Sequence, residues 1–264
     1  MYQIICDDAQ TALSKMPSES VHIIVTSPPY WGLRDYDMDN QIGTEDSVEE
    51  YILKLTETFR ECHRVLVNDG VFFLNIGDTY FGYWGNSKCG DELPPSSRAW
   101  YNENKRPKFK PSGWKKDKQK VLIPHRMAIS LQDNGWIVRN DITWHKPNAR
   151  PEKVKHRLNC TNEFWFFLCK NARTKRFQKR DNLCSDLWTF STDNSKNHNA
   201  TFPIDIVDCI MQQCIGDIVL DPFSGSATTG KAALKAGKSY IGIELNPKIA
   251  QESEMLLKNQ ELIL

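Results

Sequence analysis

The sequence predicts an α/β fold: a mostly parallel sheet with helices on both faces, plus an inserted irregular basic module. Three observations carry this. Nearly continuous apolar runs, Val21-His22-Ile23-Ile24-Val25 and Val71-Phe72-Phe73-Leu74, suit strands buried on both faces. They alternate with segments of helical apolar spacing, the order that lays crossover helices over parallel strands. Residues 81–120 break the pattern: Gly82, Gly85, Gly90, Pro94, Pro95, Pro107, Pro111 and Gly113 punctuate a stretch without sustained apolar period.

Taken in order, Gln3–Cys6 is a strand and Ala9–Lys15 a short helix. The Val21–Val25 strand stops at Ser27-Pro28-Pro29. A helix over Ser47–Leu66 follows from the spacing of Tyr51, Leu55, Phe59, Cys62 and Leu66, with Glu49 and Glu50 in its first turn. After Asp69-Gly70 comes a second apolar run, Val71–Leu74. Near the C-terminus, Ile218–Asp221 enters a glycine-containing loop, a helix spans Thr228–Lys235, and the strand Ser239–Glu244 precedes a last helix. A second polar stretch runs from Lys170 to Asn199.

With 264 residues the chain can bury a large core without disulfides or metals. Its composition, 40% hydrophobic and 25% charged, is that of a globular protein and excludes wholesale disorder. No apolar run reaches the roughly 18 residues of a membrane helix. The segment Met1–Asp8 lacks the basic and apolar regions of a secretory signal, and none of the eight cysteines forms a CxxC pair, so reduced thiols in a cytoplasm are expected.

The net charge of +1 conceals segregation. Residues 98–180 hold 22 of the 34 Lys and Arg but 6 of the 33 Asp and Glu. Trp100, Tyr101, Phe109, Trp114, Trp136, Trp144 and Phe177 are interleaved with these cations. Cations neutralise phosphates and aromatic faces stack on exposed bases, so the segment reads as a nucleic-acid footprint. The expected phosphate contacts are Lys115, Lys116, Lys118, Lys120, Lys146, Arg173, Lys175 and Arg176.

Two loops carry chemistry. In Asp221-Pro222-Phe223-Ser224-Gly225-Ser226-Ala227-Thr228-Thr229-Gly230-Lys231 a strand enters a small-residue turn and then a helix, gathering backbone N–H groups around a ligand's polar end. Glu244 ends the next strand, where a carboxylate can accept from ribose hydroxyls. Gly225–Lys231 also fits the GxxxxGK pattern of nucleotide hydrolases, but Ala232 follows where a Mg²⁺-binding hydroxyl is required. The other loop is Thr26-Ser27-Pro28-Pro29-Tyr30-Trp31. Its prolines fix the backbone and contribute carbonyls without N–H groups. An exocyclic nucleobase amine is a poor nucleophile because its lone pair is delocalised. Acceptors holding both amine hydrogens, here the Ser27 hydroxyl and Pro28 carbonyl, localise that pair, and Tyr30 gives the base a face to stack on.

Together the loops resemble the amino-group DNA methyltransferases of the permuted β-type, in which an (S/D/N)PPY motif precedes DPFxGSGTT. Asn75-Ile76-Gly77-Asp78-Thr79-Tyr80, Trp144-His145-Lys146-Pro147-Asn148, His198–Pro203 and Gly242–Pro247 are similar to further motifs of that family, in family order over residues 1–80 and 121–264. Ala227 departs from the second glycine of GSGTT. The resemblance implies a Rossmann-like S-adenosylmethionine-dependent methyltransferase fold over 1–80 and 121–264. It leaves 81–120 and 170–198 as candidate target-recognition segments. It implies a catalytic turn of Ser27, Pro28, Pro29 and Tyr30. S-adenosylmethionine is expected along Asp221, Pro222, Phe223, Gly225, Ser226 and Thr228, with Glu244 and Asn246 beside the ribose, Thr201 and Phe202 near the methionine end and Asp7 near the adenosine. No metal is implied, and the base must leave the duplex to be reached. Serine in the first motif position leans toward N4 of cytosine, with N6 of adenine the alternative and a catalytically inactive DNA-binding module the alternative from another class. The implied partner is DNA, in the cytoplasm of a prokaryotic or phage-infected cell; a homodimer and a cognate restriction endonuclease are compatible with it, and a membrane is not implied.

Overall fold

The computed structural model describes residues 1–33, 38, 40–81, 112–149, 151–152, 154–180, 185–192 and 202–261. Their core is an eight-stranded sheet in the order β1-β8-β7-β2-β3-β5-β4-β6. The strands are β1 (Tyr2–Cys6), β2 (Val21–Thr26), β3 (Leu66–Ile76), β4 (Ile137–His145), β5 (Asn162–Cys169), β6 (Leu187–Thr189), β7 (Ile218–Asp221) and β8 (Ser239–Glu244). Every neighbouring pair is parallel except the two that β5 makes, with β3 and β4. The sheet is therefore mostly parallel, as the continuous apolar runs require.

Helices α1 (Ala9–Ser14), α2 (Val48–Val65) and α3 (Ile123–Asp133) cover one face, where Leu13, Leu55, Phe59 and Leu131 pack with Ile24, Phe72, Leu74 and Leu168. Helices α4 (Ile204–Gln213), α5 (Thr228–Lys235) and α6 (Pro247–Glu261) cover the other, where Ile206, Ile210, Ala233 and Leu257 meet Ile23, Val25, Phe73 and Trp165. Side chains alternate between the two cores along Val71–Leu74 of β3 and Trp165–Leu168 of β5, as the period of two demands. Local signals start the helices: Ser47 accepts from the Glu50 N–H at 3.2 Å and Asp8 from the Thr11 N–H at 3.0 Å.

The Val71–Leu74 run is part of a longer β3: the pairing slips between Val21–Leu66 and Ile23–Val71, so residues 67–70 bulge. Gly70 suits the bulge because a Cβ there would stand 2.5 Å from Leu66. The direction of strand addition reverses between β2 and β7. Open α/β sheets form their ligand crevice outside the carboxyl ends of strands flanking such a reversal.

Of the basic insertion, 82–111 lies outside the described residues. Its end is tied to the chain leaving β3: the Phe81 N–H donates to Gln119 O at 2.9 Å, and the Lys118 N–H to Phe81 O at 2.8 Å. The interleaved aromatics divide differently from expectation. Trp136 and Trp144 are buried and Phe177 packs on Phe73 and Phe167, so these belong to the core. Trp114 is 37% exposed, and Trp100, Tyr101 and Phe109 lie outside the described residues. Sequence order does not distinguish an aromatic facing a sheet from one facing solvent. The six described cysteines are free, and among the described residues no helix is long and apolar enough to cross a membrane.

Candidate active site

The carboxyl ends of β2, β7 and β8 open onto one cavity of about 380 Å³. Ser27, Pro28, Pro29 and Tyr30 line it from one side, and Asp221, Pro222, Phe223, Gly225, Ser226 and Thr228 from the other. Asp7, Phe202, Glu244 and Asn246 complete the expected set, while Thr201 lies outside the described residues. The two loops, almost two hundred positions apart in the chain, meet because β2 and β7 are neighbours, with Ile24 opposite Leu220. Thr26 Oγ1 donates to Asp221 Oδ1 at 2.5 Å across that junction.

The two carboxylates that end β7 and β8 shape the bend between them. Asp221 accepts from the Phe223 N–H at 3.0 Å. Glu244 accepts from the Gly225 N–H at 3.0 Å and the Asn246 N–H at 2.8 Å. Burial pushes the Asp221 carboxyl up to about 6, although hydrogen bonds from Thr26, Thr229 and Phe223 favour its charged form. Burial also raises Glu244. A buried and a half-buried carboxylate disfavour a phosphate in this bend, which argues against the GxxxxGK reading. Gly225 takes φ +50°, and a Cβ there would meet no protein atom within 4 Å, so the turn is open toward the cavity. Asp7 is held low by Lys15, whose Nζ lies 2.7 Å from Oδ2. Asn246 Oδ1 accepts from the Lys248 N–H at 3.0 Å, at the start of α6.

Ala227 has φ +57° and is fully buried. A left-handed alanine costs roughly 1–2 kcal/mol relative to glycine, of which burying its methyl offsets about 0.8 kcal/mol.

At the Ser27–Tyr30 turn, the Pro29 carbonyl accepts from the Tyr51 hydroxyl at 2.8 Å. Among the described residues, none donates to the Pro28 carbonyl. The Ser27 hydroxyl lies 3.4 Å from the Tyr30 hydroxyl. Tyr30 is anchored from β3 and β5: its hydroxyl is 3.0 Å from Asn75 Oδ1 and 3.1 Å from Glu163 Oε2. Burial and the Glu163 charge raise the phenol well above its ordinary range, so it remains protonated. Gly77 lies against the ring, and a Cβ there would stand 2.4 Å from it.

The expected phosphate contacts are not gathered in one place. Lys116 and Lys118 are exposed beside residues 79–81, at the cavity edge of the sheet. Lys115 there pairs with Glu49 at 2.7 Å, and Lys120 lies 3.7 Å from Asp78. Lys146 pairs with Glu163. Arg173, Lys175 and Arg176 fall at the opposite edge, where Arg176 Nε donates to Asp69 Oδ1 at 2.6 Å. The cause is β5: it runs antiparallel, Cys169 beside Val71, so the chain leaving it emerges at the amino ends of the parallel strands. Arg173, Lys175 and Arg176 therefore stand away from the cavity. Sequence reading assigned no role to Thr26, Asn75 or Glu163. Asn75 stands within the Asn75–Tyr80 motif and Thr26 adjoins Ser27, but nothing in the sequence marks Glu163.

A family model described as DNA methylase, covering the N6 and N4 enzymes, matches residues 21–255. The chain belongs to the N6/N4 DNA methylase family. The Type II methyltransferase M.Cfr9I of Citrobacter freundii is 40% identical over 253 residues, 91% of this chain and 82% of that one. Among solved structures, the methylase is similar to the cytosine-N4-specific PvuII DNA methyltransferase, with a TM-score of 0.73 at 18% identity over 99% of this chain and 91% of that chain. It is also similar to a putative DNA modification methylase of Thermus thermophilus complexed with S-adenosyl-L-methionine. There the TM-score is 0.67 at 22% identity, over 99% of this chain and 96% of that chain. In a methylase, the contact between Gly77 and Tyr30 has a consequence. Gly77→Ala is expected to displace the ring and slow methyl transfer about tenfold or more while leaving methyl-donor affinity nearly unchanged, read by single-turnover transfer and equilibrium titration.

Proposed function

We propose that this methylase moves the methyl group of S-adenosylmethionine to the exocyclic N4 amine of a cytosine swung out of DNA. The observation that carries the reading is the shared cavity of the Ser27-Pro28-Pro29-Tyr30 turn and the Asp221-Pro222-Phe223 bend. The cavity's chemistry suits this donor. The buried Asp221 and half-buried Glu244 carboxylates complement a cationic sulfonium compound with a ribose, and the open turn at Gly225 admits a ligand against the backbone. Asp221, Phe223, Gly225, Ser226, Thr228 and Glu244 would hold it. When bound, S-adenosylmethionine supplies an electrophilic methyl group on a positively charged sulfur.

The protein's part is to make the amine a nucleophile and to place it. The Pro28 carbonyl and the Ser27 hydroxyl accept the two amine hydrogens and draw the nitrogen toward tetrahedral geometry. Tyr30 stacks on the base, a contact worth about 1–3 kcal/mol, against the few kcal/mol that base extrusion costs. The Pro29 carbonyl, committed to Tyr51, fixes the turn instead of competing for the amine. Target recognition in this reading falls to 81–120, whose described end lies at the cavity edge. Residues 170–180, at the far edge, take no part in base recognition. A cognate restriction endonuclease accompanies such an enzyme in this reading; a homodimer is not required by the chemistry.

Methyl-labelled donor and unmodified DNA, digested to nucleosides after reaction, test the assignment. N4-methylcytosine is the expected product. N6-methyladenine as the sole product would move the target to adenine, and absence of label from DNA would favour an inactive DNA-binding module. Replacing Lys116 and Lys118 by Gln is expected to reduce the slope of log affinity against log salt by up to about two. An unchanged slope would show that neither lysine reaches a phosphate.

A further inference from the structure

The polar chain behind Tyr30 extends beyond the residues assigned above. The Tyr30 hydroxyl sits between Asn75 Oδ1 at 3.0 Å and Glu163 Oε2 at 3.1 Å. Asn75 cannot turn away, because its Nδ2 donates to Phe164 O at 3.1 Å. The other carboxylate oxygen of Glu163 takes the ammonium of Lys146, which also lies 4.4 Å from the centre of the Trp144 ring. The Lys146 side chain is only 16% exposed. An ammonium so enclosed, neutralised by a carboxylate and set over an aromatic face, is poorly placed for a phosphate. It is well placed to keep Glu163 aimed at the Tyr30 hydroxyl. Both partners are fixed by the sheet: Trp144 pairs with Glu163 across β4 and β5, and Asn75 with Trp165 across β3 and β5.

We propose that Glu163 is a positioning residue for methyl transfer, holding the Tyr30 hydroxyl together with Asn75, and that Lys146 serves to tether Glu163 and is not a phosphate ligand. The proposal rests on the reading of Tyr30 as the stacking face for the extruded base. A phenol held by two acceptors on neighbouring strands keeps its ring at a set angle above the Ser27-Pro28 acceptors. Released from them, the ring could turn with the base.

A double-mutant cycle tests this on the full chain with cognate DNA and S-adenosylmethionine, read by single-turnover methyl transfer. Tyr30→Phe, which keeps the ring and loses the hydroxyl, and Glu163→Ala, which removes the acceptor, are each expected to slow transfer about tenfold. Their combination should be no slower than the slower single variant, since both remove the same link. Donor affinity should stay within about twofold in all three. Losses that multiply in the double variant, or a Glu163→Ala rate equal to wild type, would overturn the proposal. Lys146→Gln gives a second route should Glu163→Ala fold poorly. It is expected to slow transfer while leaving the salt slope of DNA affinity unchanged. A slope reduced by about one with transfer unimpaired would make Lys146 a phosphate ligand and refute its tethering role. Failure of the underlying reading has a different signature: Tyr30→Ala would then transfer at the wild-type rate.

Discussion

Asp221→Ala is expected to weaken S-adenosylmethionine binding by roughly 2–5 kcal/mol, thirtyfold to several thousandfold, the cost of removing one partner of a desolvated charge pair. Asp221 is 2% exposed, and its carboxylate joins the two loops through Thr26 while bracing the bend through the Phe223 N–H. The alanine variant therefore loses both charge and architecture. Asp221→Asn separates them: the amide oxygen can still accept from Thr26 and the Phe223 N–H, so the fold should persist while the charge is gone. The pH dependence follows the same group. Its carboxyl is raised to about 6, so it is ionised above that pH and neutral below it. Affinity for the cationic donor should fall as pH drops through about 6, and Glu244, raised in the same direction, should add to the fall. In Asp221→Asn the affinity should already be low at neutral pH and fall less on acidification. Calorimetric titration from about pH 5 to 8 reads this out. An unchanged wild-type affinity across that range would mean that Asp221 does not face the donor's positive charge.

Tyr30→Ala should lower methyl transfer by the stacking contribution of about 1–3 kcal/mol, roughly five- to 150-fold. Donor affinity should stay nearly intact, because Asp221 and Glu244 do not depend on the ring. The substitution also strands Asn75, 1% exposed, and Glu163 without their shared donor, so some thermal stability should be lost as well. Glu163→Ala is the control for that loss, since it disturbs the same network but keeps the ring. If the alanine variant transfers methyl at the wild-type rate, Tyr30 is a packing residue only.

Much of the sheet was legible because its strands are buried on both faces and read as unbroken apolar runs: Val21–Val25 and Ile218–Asp221 were expected, and β2 and β7 contain them. The loop at Asp221 was legible for a related reason, since a strand, a small-residue turn and a helix leave a local pattern. Three features were hidden because they depend on where distant segments lie. The antiparallel course of β5 decides that Arg176 faces Asp69 and not the cavity. Trp136 and Trp144 looked like interleaved base-stacking groups until the sheet gave them a core to enter. Lys146, one cation among 22 in that segment, is set apart by Glu163, a partner 17 residues away. The start of β3 at Leu66 was hidden too, because the polar Asn68 and Asp69 interrupt the apolar pattern where pairing with β2 bulges.

The account depends on one meeting point, where the bend that ends β7 brings a donor to the turn that ends β2. A crystal structure of the methylase with S-adenosylhomocysteine and cognate duplex tests it most directly. The account predicts an extruded cytosine against Tyr30, its N4 within hydrogen-bond reach of Ser27 Oγ and the Pro28 carbonyl, and the cofactor sulfur beside Asp221, leaving room for a methyl between sulfur and nitrogen. A cognate complex in which the target base stays stacked in the duplex, or lies away from the Ser27–Tyr30 turn, would contradict it.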